Sequence, residues 1–246
     1  MPAADTIIPL DSPEGRRIVA ELRAAGNITV LLGSAISQFE PSGVPTGGAF
    51  SAAIGEHLSA GSDHTARLQD VLWKTAFEHI MERCPAPRVV RGELSRSLRD
   101  TPPNDVHRAF ARLATAGAVG HLVTTNYDTG LEGAFAECCP TLPLAPVRRR
   151  NEARRLRGGE PHVLFKIHGC ALPHFARTIV FRLRDEAELP GWKRELLTRL
   201  VEGHPLLVAG YSGLDFEICP ELGGMGASGW CGSYTRLRIS PPTRAP

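Results

Sequence analysis

The sequence predicts an α/β domain: a Rossmann-like parallel sheet with helices on both faces and a mostly helical insertion. Three observations carry this. Short apolar, β-branched runs bounded by glycine or polar residues recur along the chain. Segments of helical period stand between most of them. Four of the runs also end in unusual polar sequences, "GSAIS", "TTNYD", "KIHG" and "GYSGLD". An open parallel sheet binds its ligands beyond the carboxyl ends of its strands, so these four ends would converge on one rim.

The elements follow in order. Asp11-Ser12-Pro13 is a helix start, a capping side chain before a proline, and Ile18, Val19 and Leu22 give that helix one apolar face before Gly26 ends it. "ITVLLG" is a buried strand by its β-branched content and glycine boundary. From Phe50 to about Gly117 the pattern is helical. Phe50, Ile54 and Leu58 recur every four residues, and Pro103-Asn104-Asp105 opens a helix carrying Val106, Phe110 and Leu113. "VGHLVTTN", "HVLFKIHG", a short "TIVFRL" and "PLLVAGYSG" read as further strands, with "PGWKRELLTRLVEG" a helix before the last. This places one domain at 1–222, with its helical insertion at about 48–117, and an irregular Gly-, Ser- and Pro-rich tail at 223–246.

With 246 residues, 42 % of them apolar, the chain is long enough for one sizeable core. A net charge of +2 gives no global field for nucleic acid or membrane, and no apolar run approaches the roughly 20 residues a membrane helix needs. Three lysines among 28 cationic side chains suggest the coding bias of a GC-rich bacterium. Six cysteines without a Cys-x-x-Cys pair, and no secretory leader, suggest reduced thiols and a cytoplasmic setting. The segment from Arg148 to Arg157 carries six arginines. It reads as a solvated loop or charged helix face; a nucleic-acid contact, if there is one, falls here.

Each strand end has two readings when taken alone. Gly33-Ser34-Ala35 is a tight turn, or a loop whose N–H groups face a pyrophosphate that small residues let approach. Asn126 and Asp128 cap the following helix, or face a ligand. His168 is a structural histidine, or a general base of the kind an imidazole commonly supplies. Tyr211-Ser212-Gly213 is a turn, or a nucleoside contact.

Together these residues resemble the sirtuin family, and within it the bacterial sirtuin-like NAD-hydrolase branch. The family's Gly-Ala-Gly-x-Ser and Gly-Ile-Pro motifs are matched by Gly33-Ser34-Ala35-Ile36-Ser37 and Gly43-Val44-Pro45-Thr46. Thr124-Thr125-Asn126-Tyr127-Asp128 has the spelling typical of the bacterial branch, "KIHG" matches the motif bearing the catalytic histidine, and "GYSGLDFEI" resembles the branch's Gly-Tyr-Ser-x-x-Asp segment. Order and spacing agree over roughly residues 28 to 218. Ala35 stands where the pattern has its central glycine. The two Cys-x-x-Cys pairs that hold zinc in the deacylating members are missing, and the stretch between His168 and Gly210 reads as strand plus helix, not a zinc ribbon. The strand usual after Gly-Tyr-Ser has no counterpart in the tail, which suggests a truncated or frameshifted copy.

The resemblance implies cleavage of the nicotinamide–ribose bond of NAD, with positive charge building on the ribose, and a part in anti-phage defence. It makes Asn126 and His168 catalytic, Asn126 orienting ribose and water and His168 acting as base. It assigns cofactor contacts to Gly33, Ser34, Ala35, Ser37, Pro45, Thr46, Thr125, Asp128, Gly210, Tyr211, Ser212 and Asp215. NAD is then the substrate, and no metal site or zinc is expected. Control by a homo-oligomer or a partner protein is also expected, because unrestrained NAD hydrolysis would poison the host. Two other classes stay open. A non-catalytic NAD- or ADP-ribose-binding module would form no ADP-ribose. An NAD-dependent deacylase would form acetyl-ADP-ribose from an acetylated peptide.

Overall fold

Alternation along a single strand explains the architecture. In Ile28–Leu32 (β1) every residue is buried, but Val30 and Leu32 enter one apolar cluster and Leu31 the other. A strand whose successive side chains both find core must have layers on both faces. The computed structural model describes residues 12–59, 77–82, 85–156, 162–186, 188–213 and 218–226. Among them β1, Val119–Thr124 (β2), Leu144–Val147 (β3), His162–Lys166 (β4) and Leu206–Ala209 (β5) form one parallel sheet in the order β3-β4-β2-β1-β5.

One face packs on Pro13–Ala25 (α1), Asp105–Thr115 (α5) and Gly130–Cys138 (α6), through Leu22, Phe110, Ala111, Leu131 and Phe135. The other packs on Arg150–Ala153 (α7), Gly191–Val201 (α8) and Ile218–Gly226 (α9), through Leu196, Leu197, Leu200, Ile218 and Leu222. The domain is therefore α/β and Rossmann-like. Ser12 caps α1, accepting from Gly15 N at 3.0 Å, with Pro13 at the first helical position. Gly47–Ser59 (α2), Phe77–Met81 (α3), Pro87–Leu98 (α4) and α5 make up the described part of the insertion between β1 and β2. The last helix runs to Gly226, past the expected boundary at 222/223; the rest of the tail lies outside the described residues.

Two strand assignments need correction. "TIVFRL" is not a strand. Pro173–Thr178 forms a 3-10 turn, and Ile179 and Phe181 then run across the carboxyl rim, filling a third cluster with Phe77, Leu94 and Leu98. The sheet edge beside β4 is occupied by β3, so this segment satisfies its backbone elsewhere. Val180 N donates to His168 O at 2.9 Å, and Arg91 Nε donates to Ile179 O at 3.1 Å. Conversely, β3 is a strand that the sequence conceals. Its Pro146 lacks an N–H and argues against a ladder, but β3 lies at the sheet edge, where one side needs no donor. Between His168 and Gly210 the chain forms 3-10 turns, α8 and β5, with no zinc ribbon among the described residues.

Candidate functional site

The strand register aligns the polar ends. Leu32 pairs with both Thr124 and Ala209, and Thr124 pairs with Lys166. Two residues beyond these positions stand Ser34, Asn126, His168 and Tyr211. Each follows the carboxyl end of its strand, and the strand order puts them in the lateral order His168, Asn126, Ser34, Tyr211.

The small residues after β1 face a neighbouring backbone. A Cβ on Gly33 would lie 2.4 Å from Tyr211 Cα and 2.5 Å from Gly210 O. Gly33 N donates to Ala209 O and Ala35 N to Gly210 O, both at 3.0 Å, and Ile36 N returns to Gly33 O at 3.2 Å. Gly210 itself sits at φ 66°, where a side chain is strained, and its own Cβ would meet Ile36 N at 2.9 Å. The first and last motifs are thus pressed together backbone to backbone. Three N–H groups of the expected pyrophosphate loop are already used in that contact or within the turn.

Behind the loop lies a buried polar node. Ser37 is fully buried, and its Oγ donates to Asp128 Oδ2 at 2.9 Å. It accepts from Asn126 Nδ2 at 3.0 Å and lies 3.1 Å from His107 Nε2. A hydroxyl has one proton and two lone pairs, so Ser37 has no capacity left for a direct cofactor contact. Asp128 Oδ1 accepts from Gly130 N at 2.9 Å, which is the helix-start role the sequence left open. Asn126 does not cap that helix. Its side chain goes to Ser37, and its Oδ1, buried, has no hydrogen-bond partner. Such an acceptor is costly unless something donates to it, which suits a ligand hydroxyl or water.

Sequence reasoning missed two members of this node. Asn104 and His107 are both 0 % exposed. Asn104 Oδ1 accepts from Val106 N and His107 N at the start of α5, and its Nδ2 donates to Ile36 O at 2.8 Å and Phe39 O at 3.2 Å. His107 Nδ1 lies 3.1 Å from Asn104 N. Burial pushes the His107 pKa down; nearby Asp128 and Glu132 oppose this, and Lys166 and Arg108 add to it. The signal was present as Asn-x-x-His at a helix start. The usual capping pattern has Glu or Gln in the third position, and a histidine there does not stand out.

Lys166 of "KIHG" is also buried, 1 % exposed, and donates to the backbone carbonyl of Asp128. It pairs with Glu132 Oε2 at 3.4 Å, and Glu132 Oε1 in turn meets Arg148 Nη2 at 3.3 Å. This chain of charges fixes the loop after β2 to the end of β4. His168 is 5 % exposed, and its carbonyl accepts from Val180 N. The segment after it is held to α4 by Ser95 Oγ on Ala171 O at 2.6 Å and by Arg91.

The remaining expected contacts lie as follows. Thr46 is half-buried, and its Oγ1 accepts from Ala49 N at 3.3 Å, capping α2; Pro45 is exposed. Thr125 N donates to Leu32 O at 3.1 Å. Ser34 is half-buried, as is Tyr211, whose hydroxyl lies 3.6 Å from Cys219 Sγ; Ser212 is exposed. Asp215 lies outside the described residues. In the arginine-rich segment, Arg148 and Arg149 both lie 4.9 Å from the Phe175 ring, so its start is built into the fold. Arg157 is outside the described residues. Among the described residues no three His, Cys, Asp or Glu side chains are grouped to hold a metal ion, and no helix is long and apolar enough to cross a membrane.

A family model described as a SIR2-like domain matches residues 120–219, fewer than half of the chain's 246. The match spans β2 to the start of α9, and so takes in the ends bearing Asn126, His168 and Tyr211 but not the loop after β1. No curated protein matches the chain significantly.

Proposed function

We propose that this protein hydrolyses NAD to nicotinamide and ADP-ribose, starting from the SIR2-like character of residues 120–219. The observation that carries the reading is Asn126. It is buried, follows the end of the strand next to the one that precedes His168, is anchored through Nδ2 and carries an Oδ1 with no partner. That acceptor suits a ribose hydroxyl or the attacking water. Breaking the C1′–N bond leaves the electron pair on nicotinamide, which departs neutral. Water adds its oxygen to C1′, and the water's proton goes to His168 and then to solvent. The half-buried Ser34 and Tyr211 flank this position toward the adenosine side. A part in anti-phage defence, and control by self-assembly or a partner, belong to the same reading and rest on the sequence resemblance.

One observation favours a second reading. The N–H groups of Gly33 and Ala35 are engaged by β5 and the loop after it, and Ser37 is saturated, which leaves fewer groups for a pyrophosphate. A weaker-holding module that binds NAD or ADP-ribose without turnover would be built this way. Chromatography of NAD incubated with the protein decides between the readings. ADP-ribose and nicotinamide in equal amounts support hydrolysis. Binding without products favours the module, and acetyl-ADP-ribose from an acetylated peptide would indicate deacylation.

A further inference from the structure

The hydrogen bonds around Ser37 permit only one order of donors. Asn104 N is a backbone N–H and can only donate, so His107 Nδ1, 3.1 Å away, must present its lone pair. Ser42 Oγ lies 3.5 Å from the same nitrogen but gives its proton to Pro102 O at 2.7 Å. The imidazole proton therefore sits on Nε2 and points at Ser37 Oγ. The Asp128 carboxylate, which only accepts, takes the Ser37 proton. Ser37 is left with one lone pair, and Asn126 must fill it with Nδ2. The carboxamide is thereby fixed with Oδ1 as the presented atom. A carboxamide turned by 180° would set an oxygen lone pair against a Ser37 oxygen with no proton to give.

We propose that His107 is a positioning residue which, through Ser37, holds the Asn126 carboxamide in the orientation that presents Oδ1 to a hydroxyl donor. The inference rests on the functional reading above for what that donor is, a ribose hydroxyl or water. Gly130 supports it by leaving room for the ring: a Cβ there would lie 2.7 Å from His107 Cε1. His107 is outside the matched segment, on the last helix of the insertion, and it joins α5, the loop after β1 and the loop after β2 at one point.

Two substitutions separate positioning from support. His107→Asn places a carboxamide near the Nδ1 position, keeping the acceptor for Asn104 N but losing the donor to Ser37. His107→Gln reaches the Nε2 position and keeps that donor while losing the acceptor. A merely structural histidine is better replaced by Asn. The positioning role predicts that His107→Asn melts near the wild-type temperature but loses about 10- to 100-fold in kcat, with KM changed less than about threefold, as expected for a misplaced catalytic group. His107→Gln should be less stable yet retain more of kcat. Ser37→Ala should match His107→Asn, and the double variant should be no worse than either, because both cut one network. Full kcat in His107→Asn would overturn the proposal. The donor order is also read without turnover, from the imidazole ¹⁵N resonances of His107. An Nε2–H tautomer supports the proposal and an Nδ1–H tautomer overturns it, whether or not NAD is hydrolysed. If that tautomer is found and the wild type forms no ADP-ribose, the functional reading fails and the network stands.

Discussion

Replacing His168 by Ala should lower NAD turnover by about 100- to 10,000-fold, the usual contribution of a general base. On the proposed reading NAD affinity should fall little, since a general base acts on the reacting atoms and does not anchor the dinucleotide. Asn126→Ala should cost both turnover and affinity, because it removes the partnerless Oδ1 and takes from Ser37 one of its two donors. Calorimetry run beside turnover distinguishes the two; wild-type turnover in both variants would refute the catalytic assignment. At this scale the sequence disclosed what sits immediately after a strand. Asn126 and His168 were legible because polar residues at the end of an apolar run need a reason. Ser37 was expected from the resemblance to contact the cofactor, and its hydrogen bonds could not be foreseen, since its partners Asp128 and His107 lie far away in the chain. A local pattern cannot show that a hydroxyl is already saturated.

The loops after β1 and β5 meet without side chains between them, and this contact can be probed as a unit. Gly210→Ala adds a Cβ at φ 66°, a left-handed conformation that costs an L-residue about 1–2 kcal/mol before any clash, and that Cβ would meet Ile36 N at 2.9 Å. The expected result is a melting temperature lowered by several degrees, with unfolding still cooperative; an unchanged melting temperature would mean that the two loops do not touch. The small residues of "GSAIS" were visible in the sequence, and so was the need for something to pass close by. The passing object is the Gly210–Tyr211 backbone, and sequence offers no sign of which chain segment fills such a space. Strands were legible where an apolar run is unbroken by proline, in the centre of the sheet and in β5 at one edge. β1, β2 and β4 are mostly apolar because both faces are covered, whereas edge position hid β3 behind Pro146. Burial without a ladder made Ile179–Phe181 look like a strand. Apolar content reports burial, and only pairing makes a strand.

Taken as a whole, the molecule places its charged groups in two registers, a buried network under the rim and an exposed surface, and they respond to solution conditions separately. The absence of any Cys-x-x-Cys pair in the sequence leads to the expectation that elemental analysis will find far less than one zinc per chain; one zinc per chain would refute it. Acidification tests the buried network. His107 is neutral in the native state, its pKa pushed below the ordinary 6.5 chiefly by burial, with Lys166 and Arg108 adding to the effect and Asp128 and Glu132 opposing it. In the unfolded chain the ring is free to take up a proton near pH 6.5. The native state therefore binds fewer protons than the unfolded state in the window from about 6.5 down to the depressed native value. Stability is fully present above that window and falls as pH drops through it, by at most about 1.4 kcal/mol per pH unit for one proton. Glu82 on the surface is held by Arg184 and has its carboxyl pKa lowered below 4.5, so its contribution is lost only in more acid solution. Denaturant unfolding at pH 7.5 and 5.5, compared between wild type and a His107 variant, separates this histidine from the other eight. Wild type should lose clearly more stability between these values than His107→Asn, which keeps the bond to Asn104 N and has no group to titrate. Equal losses in the two proteins would mean that His107 takes up its proton equally readily in the native and unfolded states, so that burial does not depress its pKa.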